Sequence, residues 1–197
     1  SGGITETLLH LRNYLISQDY TWEIIVIDDG SNDTTAALVE NWILQNPNTH
    51  LMQNQHFGKG YAVKTGMLAA MGQVRLMCDA DLSMPVNLIE DFVDSYKKGS
   101  DITIGSREIE GSKRFVQSNL RHLRGRIFNF WLKVIGINKF EETQCVFKCF
   151  SAPVANVLFN HLEDEGFEYD VELMFIASKQ KQGTIGEISL RWHHNSY

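Results

Sequence analysis

A chain of 197 residues with 43% hydrophobic and 21% charged residues is long enough to bury a substantial core as a single domain. Its formal net charge of −6 argues against a general nucleic-acid binder, whose affinity would come from a basic surface. The three cysteines (Cys78, Cys145 and Cys149) lack paired zinc-ligand spacing, which fits reduced thiols in a reducing compartment better than a disulfide framework or a zinc site, and Cys145 with Cys149 fits packing rather than chemistry. No apolar run approaches a membrane span, and no secretory leader is expected.

Ser1-Gly2-Gly3 reads as a remnant or a join, and a helical pattern follows at once, with Ile4, Leu8, Leu11 and Leu15 on one face. Trp22 to Ile27 is predicted as a buried strand that turns out through Asp28-Asp29-Gly30-Ser31. Ser31 or Asp33 is placed to cap a helix carrying Leu38 and Trp42 one turn apart. After the Asn46-Pro47-Asn48 turn a short strand is expected around Leu51, and Gly58-Lys59-Gly60 opens a helix to about Met71. A strand from Val74 ends in Asp79-Ala80-Asp81. Pro85 fits the first turn of a helix reaching Tyr96, and Asp101 to Ile104 is a further strand closed by Gly105-Ser106-Arg107.

This alternation of helix and strand predicts an α/β domain with a mostly parallel, doubly wound sheet covered on both faces. Ligands bind such sheets beyond the carboxyl ends of the strands, where both aspartate-rich turns fall. The second half changes character. A polar, basic stretch with Lys113, Arg114, Arg121, Arg124 and Arg126 leads into an apolar helix over Ile127 to Ile135. Thr143 to Phe150 reads as a strand, Ala152 to His161 as a helix, the stretch through Leu173 and Ala177 as another helix, and Thr184 to Trp192 as the closing strand. With no internal repeat or low-complexity linker, residues 1–197 are expected to form one domain. Its first half would run to about residue 107, and its second half from about 108.

Asp79 and Asp81 disfavour each other's ionisation unless something positive sits between them. A divalent cation, Mg2+ or Mn2+, would answer that, since both prefer carboxylate oxygens and substrate phosphates. A solvated turn capping the next helix explains the pair equally well. Asp28 and Asp29 repeat the arrangement one strand earlier, with turn chemistry again the plain alternative. Gly58-Lys59-Gly60 suits a close backbone approach at a helix start but lacks the spacing of an NTPase phosphate loop. The arginines from Arg107 to Arg126 form either a solvated helix face or a bidentate phosphate site. His193 and His194 are read as a polar chain end rather than metal ligands.

Taken in order, Ile24 to Thr34, Gly58 to Val63 and Asp79-Ala80-Asp81 resemble the inverting family 2 glycosyltransferases of the glycosyltransferase A fold. Gly105-Ser106-Arg107, Arg121, Gly125-Arg126, Thr143 to Lys148 and Gly166 to Leu173 narrow the likeness to the dolichyl-phosphate glucose and mannose synthases. Glu110 to Lys113 and Gly125 to Asn129 bring it nearer the glucose branch. In that fold an interior strand with a Pro-x-Tyr-Asn-Glu-type turn comes first. Ser1-Gly2-Gly3 stands in its place, so the first strand is expected to be missing from this sequence.

The resemblance implies transfer of a hexose, glucose before mannose, from UDP-glucose or GDP-mannose to a dolichyl or other polyprenyl phosphate, with inversion and with Mg2+ or Mn2+. By position, Asp28, Asp29 and Ser31 fall where the family holds the nucleoside. Lys59 and Gly60 lie in its donor-pocket loop, and Asp79, Ala80 and Asp81 match its metal and diphosphate motif. Arg107, Arg121 and Arg126 match its phosphate-contacting stretch. Glu142 stands at its usual aspartate position before Thr-Gln-Cys and is the candidate base. The acceptor is itself an anion near neutral pH, so positioning two anions outweighs general-base catalysis. The expected location is peripheral, at the cytoplasmic face of a membrane. Two other classes stay open: a nucleotide-sugar-binding module without turnover, and a magnesium-dependent phosphoryl-transfer enzyme.

Overall fold

The structure is a computed structural model and describes residues 2–82, 84–106, 145–180 and 184–189. Helix α1 (Gly2–Leu15) turns Leu8 and Leu15 of its predicted apolar stripe into the protein. Strand β1 (Ile24–Asp28) pairs in parallel with β2 (Thr49–Gln53), Asp28 standing opposite Gln53. Between them runs α2 (Thr35–Ile43), whose cap position is Thr34 rather than Ser31 or Asp33 and carries no side-chain capping bond. Asp33, one residue earlier, accepts the Thr35 N–H at 2.9 Å and shapes the turn into the helix. Helix α3 (Lys59–Ala69) leads to β3 (Val74–Met77). Pro85 comes just before a short 3₁₀ turn (Val86–Leu88), and α4 (Ile89–Lys97) follows it.

Strand β4 (Ile102–Ser106), β5 (Lys148–Ser151), α5 (Ala152–His161), α6 (Tyr169–Gln180) and β6 (Ile185–Ser189) complete the described elements. β3, β5, β4 and β6 form a four-stranded sheet in that spatial order, with β5 antiparallel to both neighbours and β4 parallel to β6. The α/β class expected from the alternation is the one observed, with one strand running against the others. Among the described residues β1–β2 is a separate sheet, and β1 and β3 do not pair with each other. Helix α3 contacts both strands, and a Cβ added at Gly66 would stand only 3.0 Å from the Ile27 side chain.

The two sheets differ in burial. Residues 24–27 of β1 are half-buried rather than buried, because a two-stranded sheet shields less of each strand. All four residues of β5 are buried, because neighbours flank it on both sides and its two faces are covered. Its alternation sends Phe150 into the main core with Ile102, Ile104, Leu158 and Phe159. Cys149 goes to the opposite face, with Phe147, Cys145, Phe92 and Met84. Each buried Leu, Ile or Phe adds about 1.5–3 kcal/mol relative to leaving it exposed. Cys145 and Cys149 are thus core residues, as their sequence context suggests, and Cys78 is exposed.

The buried Arg75 on β3 ties this core to the end of α3. Its Nη1 donates to the Met67 carbonyl at 2.6 Å and to the Asn156 amide oxygen at 2.8 Å. Burial lowers the guanidinium pKa, and Glu23 pulls it back up. No helix among the described residues is long and apolar enough to cross a membrane.

Candidate active site

β1 ends in Asp28, β3 runs out through Cys78 into Asp79, and the start of α3 gathers those ends. Asp28 is buried, and one of its carboxylate oxygens accepts the Ser31 N–H at 3.0 Å, closing the turn after β1. Asp29 reaches across to the loop before α3, where its two oxygens accept the Phe57 N–H at 3.1 Å and the Gly58 N–H at 3.0 Å. His56 Nδ1 lies 2.8 Å from the Asp29 carbonyl oxygen, and His56 itself adopts φ +58°, an uncommon conformation for a non-glycine residue. The turn chemistry weighed for Asp28 and Asp29 is therefore present, and it anchors the loop that delivers Lys59.

Gly58 and Gly60 permit a close approach, and the partner is the chain's own 164–166 turn. Gly58 has φ +113°, and a side chain there would also overlap the Glu165 carbonyl. The Gly60 N–H donates to the carbonyls of Glu165 at 2.9 Å and Gly166 at 3.0 Å. A Cβ at Gly60 would stand 2.9 Å from that of Tyr169, so the first turns of α3 and α6 abut.

With its backbone fixed there, Lys59 extends Nζ to within 2.9 Å of the Asp79 carboxylate. About a third of each side chain is exposed. Asp79 thus meets an ammonium, which relieves the repulsion that two neighbouring carboxylates would otherwise feel. The segment from Asp79 to Leu82 is itself restrained. The Ala80 carbonyl accepts the Thr7 hydroxyl of α1 at 2.6 Å, and the Asp79 carbonyl accepts the Leu82 N–H at 3.1 Å. Leu82 sits at φ +42°, a strained conformation of the kind found at functional loops. Asp81 is exposed beside it.

The pair Lys148 and Asp170, which sequence reasoning did not single out as site residues, lies behind this surface. Lys148 is fully buried on β5, opposite Met77 of β3. Its Nζ donates to the Asp170 carboxylate at 2.6 Å and to the Cys145 carbonyl at 2.5 Å. Burial pushes the Asp170 carboxyl up, while Lys148 and, after it, Lys59 draw it back. Tyr169 is buried next to it, with its hydroxyl lacking a hydrogen-bond partner among the described residues. Burial raises the phenol's pKa, and the charges of Asp170 and Asp79 add to that. The available signal was a lysine inside the apolar run Val146 to Phe150, with an aspartate opening an apolar helix at Tyr169-Asp170-Val171.

A divalent cation fits the surface part of this arrangement. Asp79 and Asp81 offer hard oxygen donors at a strand end, and Mg2+ in particular is commonly held by one or two carboxylates together with substrate phosphates. The described residues contain no cluster of three or more potential metal ligands. Arg107, Arg121, Arg126, Glu142, His193, His194 and the apolar helix expected at 127–135 lie outside the described residues.

The signature described as glycosyl transferase family 2 matches residues 2–156, most of the chain. The chain belongs to glycosyl transferase family 2. This family 2 chain is 32% identical to a dolichyl-phosphate β-glucosyltransferase of Trichomonas vaginalis, over 96% of its own length and 58% of the relative's. It is 34% identical to that of Dictyostelium discoideum, over 88% and 55%, and 30% identical to that of Saccharomyces cerevisiae, over 87% and 57%. It therefore spans a little over half the length of these curated relatives.

Among solved structures, Mycobacterium tuberculosis glucosyl-3-phosphoglycerate synthase superposes with a TM-score of 0.68 at 17% identity, covering 98% of this chain and 68% of that one. Staphylococcus aureus TarS gives 0.59 at 18%, covering 94% and 55%. The fold is that of the glycosyltransferase A enzymes. The mycobacterial synthase has been crystallised with Mn2+ and UDP-glucose, and with Mg2+ and UDP.

Proposed function

We propose that this family 2 protein transfers glucose from UDP-glucose to dolichyl or another polyprenyl phosphate, inverting the anomeric centre. The observation that carries the reading is the convergence of Asp29, Lys59 and Asp79 at the carboxyl ends of two strands. It occurs in a chain whose relatives carry the name dolichyl-phosphate β-glucosyltransferase. Those names favour glucose over mannose as the transferred sugar.

Each residue then has a task. Asp28 and Asp29 shape the nucleoside end of the pocket and hold the loop bearing Lys59 and Gly60. The Lys59 ammonium faces the donor diphosphate, where negative charge grows as the bond to the sugar breaks. Asp81, with Asp79 and the Ala80 backbone beside it, would hold Mg2+ or Mn2+, which when bound offsets charge on the departing nucleotide. Arg107, Arg121 and Arg126 are assigned to the acceptor phosphate, and Glu142 to any proton transfer that acceptor requires. An acceptor that is already an anion attacks the sugar from the face opposite the diphosphate, and single displacement inverts the centre. The lipid acceptor puts the reaction at a membrane surface, and we assign it to the cytoplasmic face.

The test supplies the purified protein with radiolabelled UDP-glucose or GDP-mannose together with dolichyl phosphate and Mn2+. Labelled lipid from UDP-glucose alone is the expected result, and labelled lipid from GDP-mannose alone would reassign the sugar. Nucleotide binding by calorimetry without lipid product from either donor would make the protein a binding module instead. Asp81→Ala is expected to lower metal-dependent turnover on the order of a hundredfold or more while leaving the circular dichroism spectrum unchanged. Near-normal turnover would remove Asp81 from the site.

A further inference from the structure

Two lysine–aspartate pairs stand almost back to back where α3 and α6 begin. Lys59 meets Asp79 at 2.9 Å near the surface, and Lys148 meets Asp170 at 2.6 Å in the interior. The separation between them is small because Gly60 abuts Tyr169, the residues next to Lys59 and Asp170 respectively. Lys59 is near enough that its charge acts on Asp170 as well as on Asp79. The four groups alternate in sign, from Asp79 through Lys59 and Asp170 to Lys148. Removing the innermost charge therefore changes what each of the others requires.

We propose that Lys59 is a displaceable cation shared between Asp79 and Asp170, and that buried Lys148 sets the sharing by holding Asp170. With Lys148 in place, Asp170 has its own cation and Lys59 is left to Asp79, covering that carboxylate until a nucleotide diphosphate draws the ammonium away and exposes it. This rests on the reading of Asp79 as part of the donor site. Lys148 and Asp170 are positioning residues in this scheme. Both are buried, and they act through Lys59. The Lys59–Asp79 pair suits a displaceable contact because its partial exposure makes it weak and reversible. The inner pair suits a fixed anchor because a buried charge stripped of its partner must find another.

Lys148→Met removes the inner charge at nearly constant volume. Asp170 is then expected to capture Lys59, leaving Asp79 open. Mn2+ alone, followed by electron paramagnetic resonance of the free ion, should bind about fivefold tighter, at the low end of ordinary coupling between sites. UDP at saturating Mn2+, followed by calorimetry, should bind about fivefold more weakly, because Lys59 has turned away from the diphosphate. A purely structural loss would weaken both. Equal directions, or no change in either, would overturn the proposal.

Lys148→Met/Asp170→Asn removes both inner charges and spares a Lys148→Met variant that fails to fold from being decisive. Lys59 then belongs to Asp79 alone, and Mn2+ alone should bind about twofold more weakly than to wild type, as for a slightly strengthened exposed pair. Unchanged or tighter Mn2+ binding in this variant would equally overturn the proposal. If wild-type protein binds neither Mn2+ nor UDP, the donor-site reading itself falls and the inference goes with it. If wild type binds both and the variants follow wild type, only the sharing of Lys59 is wrong.

Discussion

The two lysine–aspartate pairs share their chemistry and differ in surroundings. Lys59 and Asp79 are joined at 2.9 Å with about a third of each side chain in contact with water. Lys148 and Asp170 are joined at 2.6 Å, with the lysine fully buried. Water screens the first pair and competes for both its partners, so it adds little to stability and is easily remade with a ligand. The second has no water to fall back on. Its formation hardly repays the desolvation of two charges, yet breaking it leaves one of them stranded. In this protein the exposed pair is suited to binding and the buried pair to holding the parts in place.

The sharpest way to break the comparison is to take the buried lysine away. Lys148→Ala is expected to lower unfolding free energy by about 2–5 kcal/mol, read from the midpoint of urea denaturation, because its fully buried stem leaves a cavity and Asp170 is left with only the partly exposed Lys59 to turn to. A loss under about 1 kcal/mol would mean the interior pair is as solvated as the outer one.

Gly60→Ala comes next, because its methyl group would press on Tyr169 and the 164–166 turn and push the two first turns apart. About 1–3 kcal/mol of destabilisation is expected, the usual range for an overpacked site. The donor affinity should fall with it, since the same backbone carries Lys59. The smallest stability effect belongs to Lys59→Met, at about 1 kcal/mol or less. UDP binding measured by calorimetry should nevertheless weaken clearly. If Lys59→Met unfolded the protein as readily as Lys148→Ala, the division between a binding pair and a holding pair would be lost.

Much of the fold was legible because its signals are local. The stripe Ile4, Leu8, Leu11 and Leu15 marked α1, Asp33 marked the turn into α2, and the apolar run ending at Asp79 marked β3. The stretch Ala152 to His161 is the helix observed, end to end. Half-burial of β1 was not legible, because an all-apolar run looks the same whether its strand has one neighbour or two. The reversed direction of β5 escaped for a related reason, as strand direction within a sheet is a pairing property and pairing is not local.

At the site, the sequence by itself determined which chemical groups are present and where along the chain they fall. Two aspartate turns follow apolar runs, and Gly-Lys-Gly opens a helix, all consequences of residue type and spacing. Only the tertiary structure decided who meets whom. Asp29 takes up the Phe57 and Gly58 amides 28 and 29 residues away, and Thr7 holds Ala80 across 73 residues. The glycines face the chain's own 164–166 turn, and Lys148 finds Asp170 across 22 residues. A hydrogen bond or ion pair depends on distance and on the water around it. Both are set when separate segments pack together, so a charged side chain read in sequence shows its charge but neither its partner nor its burial.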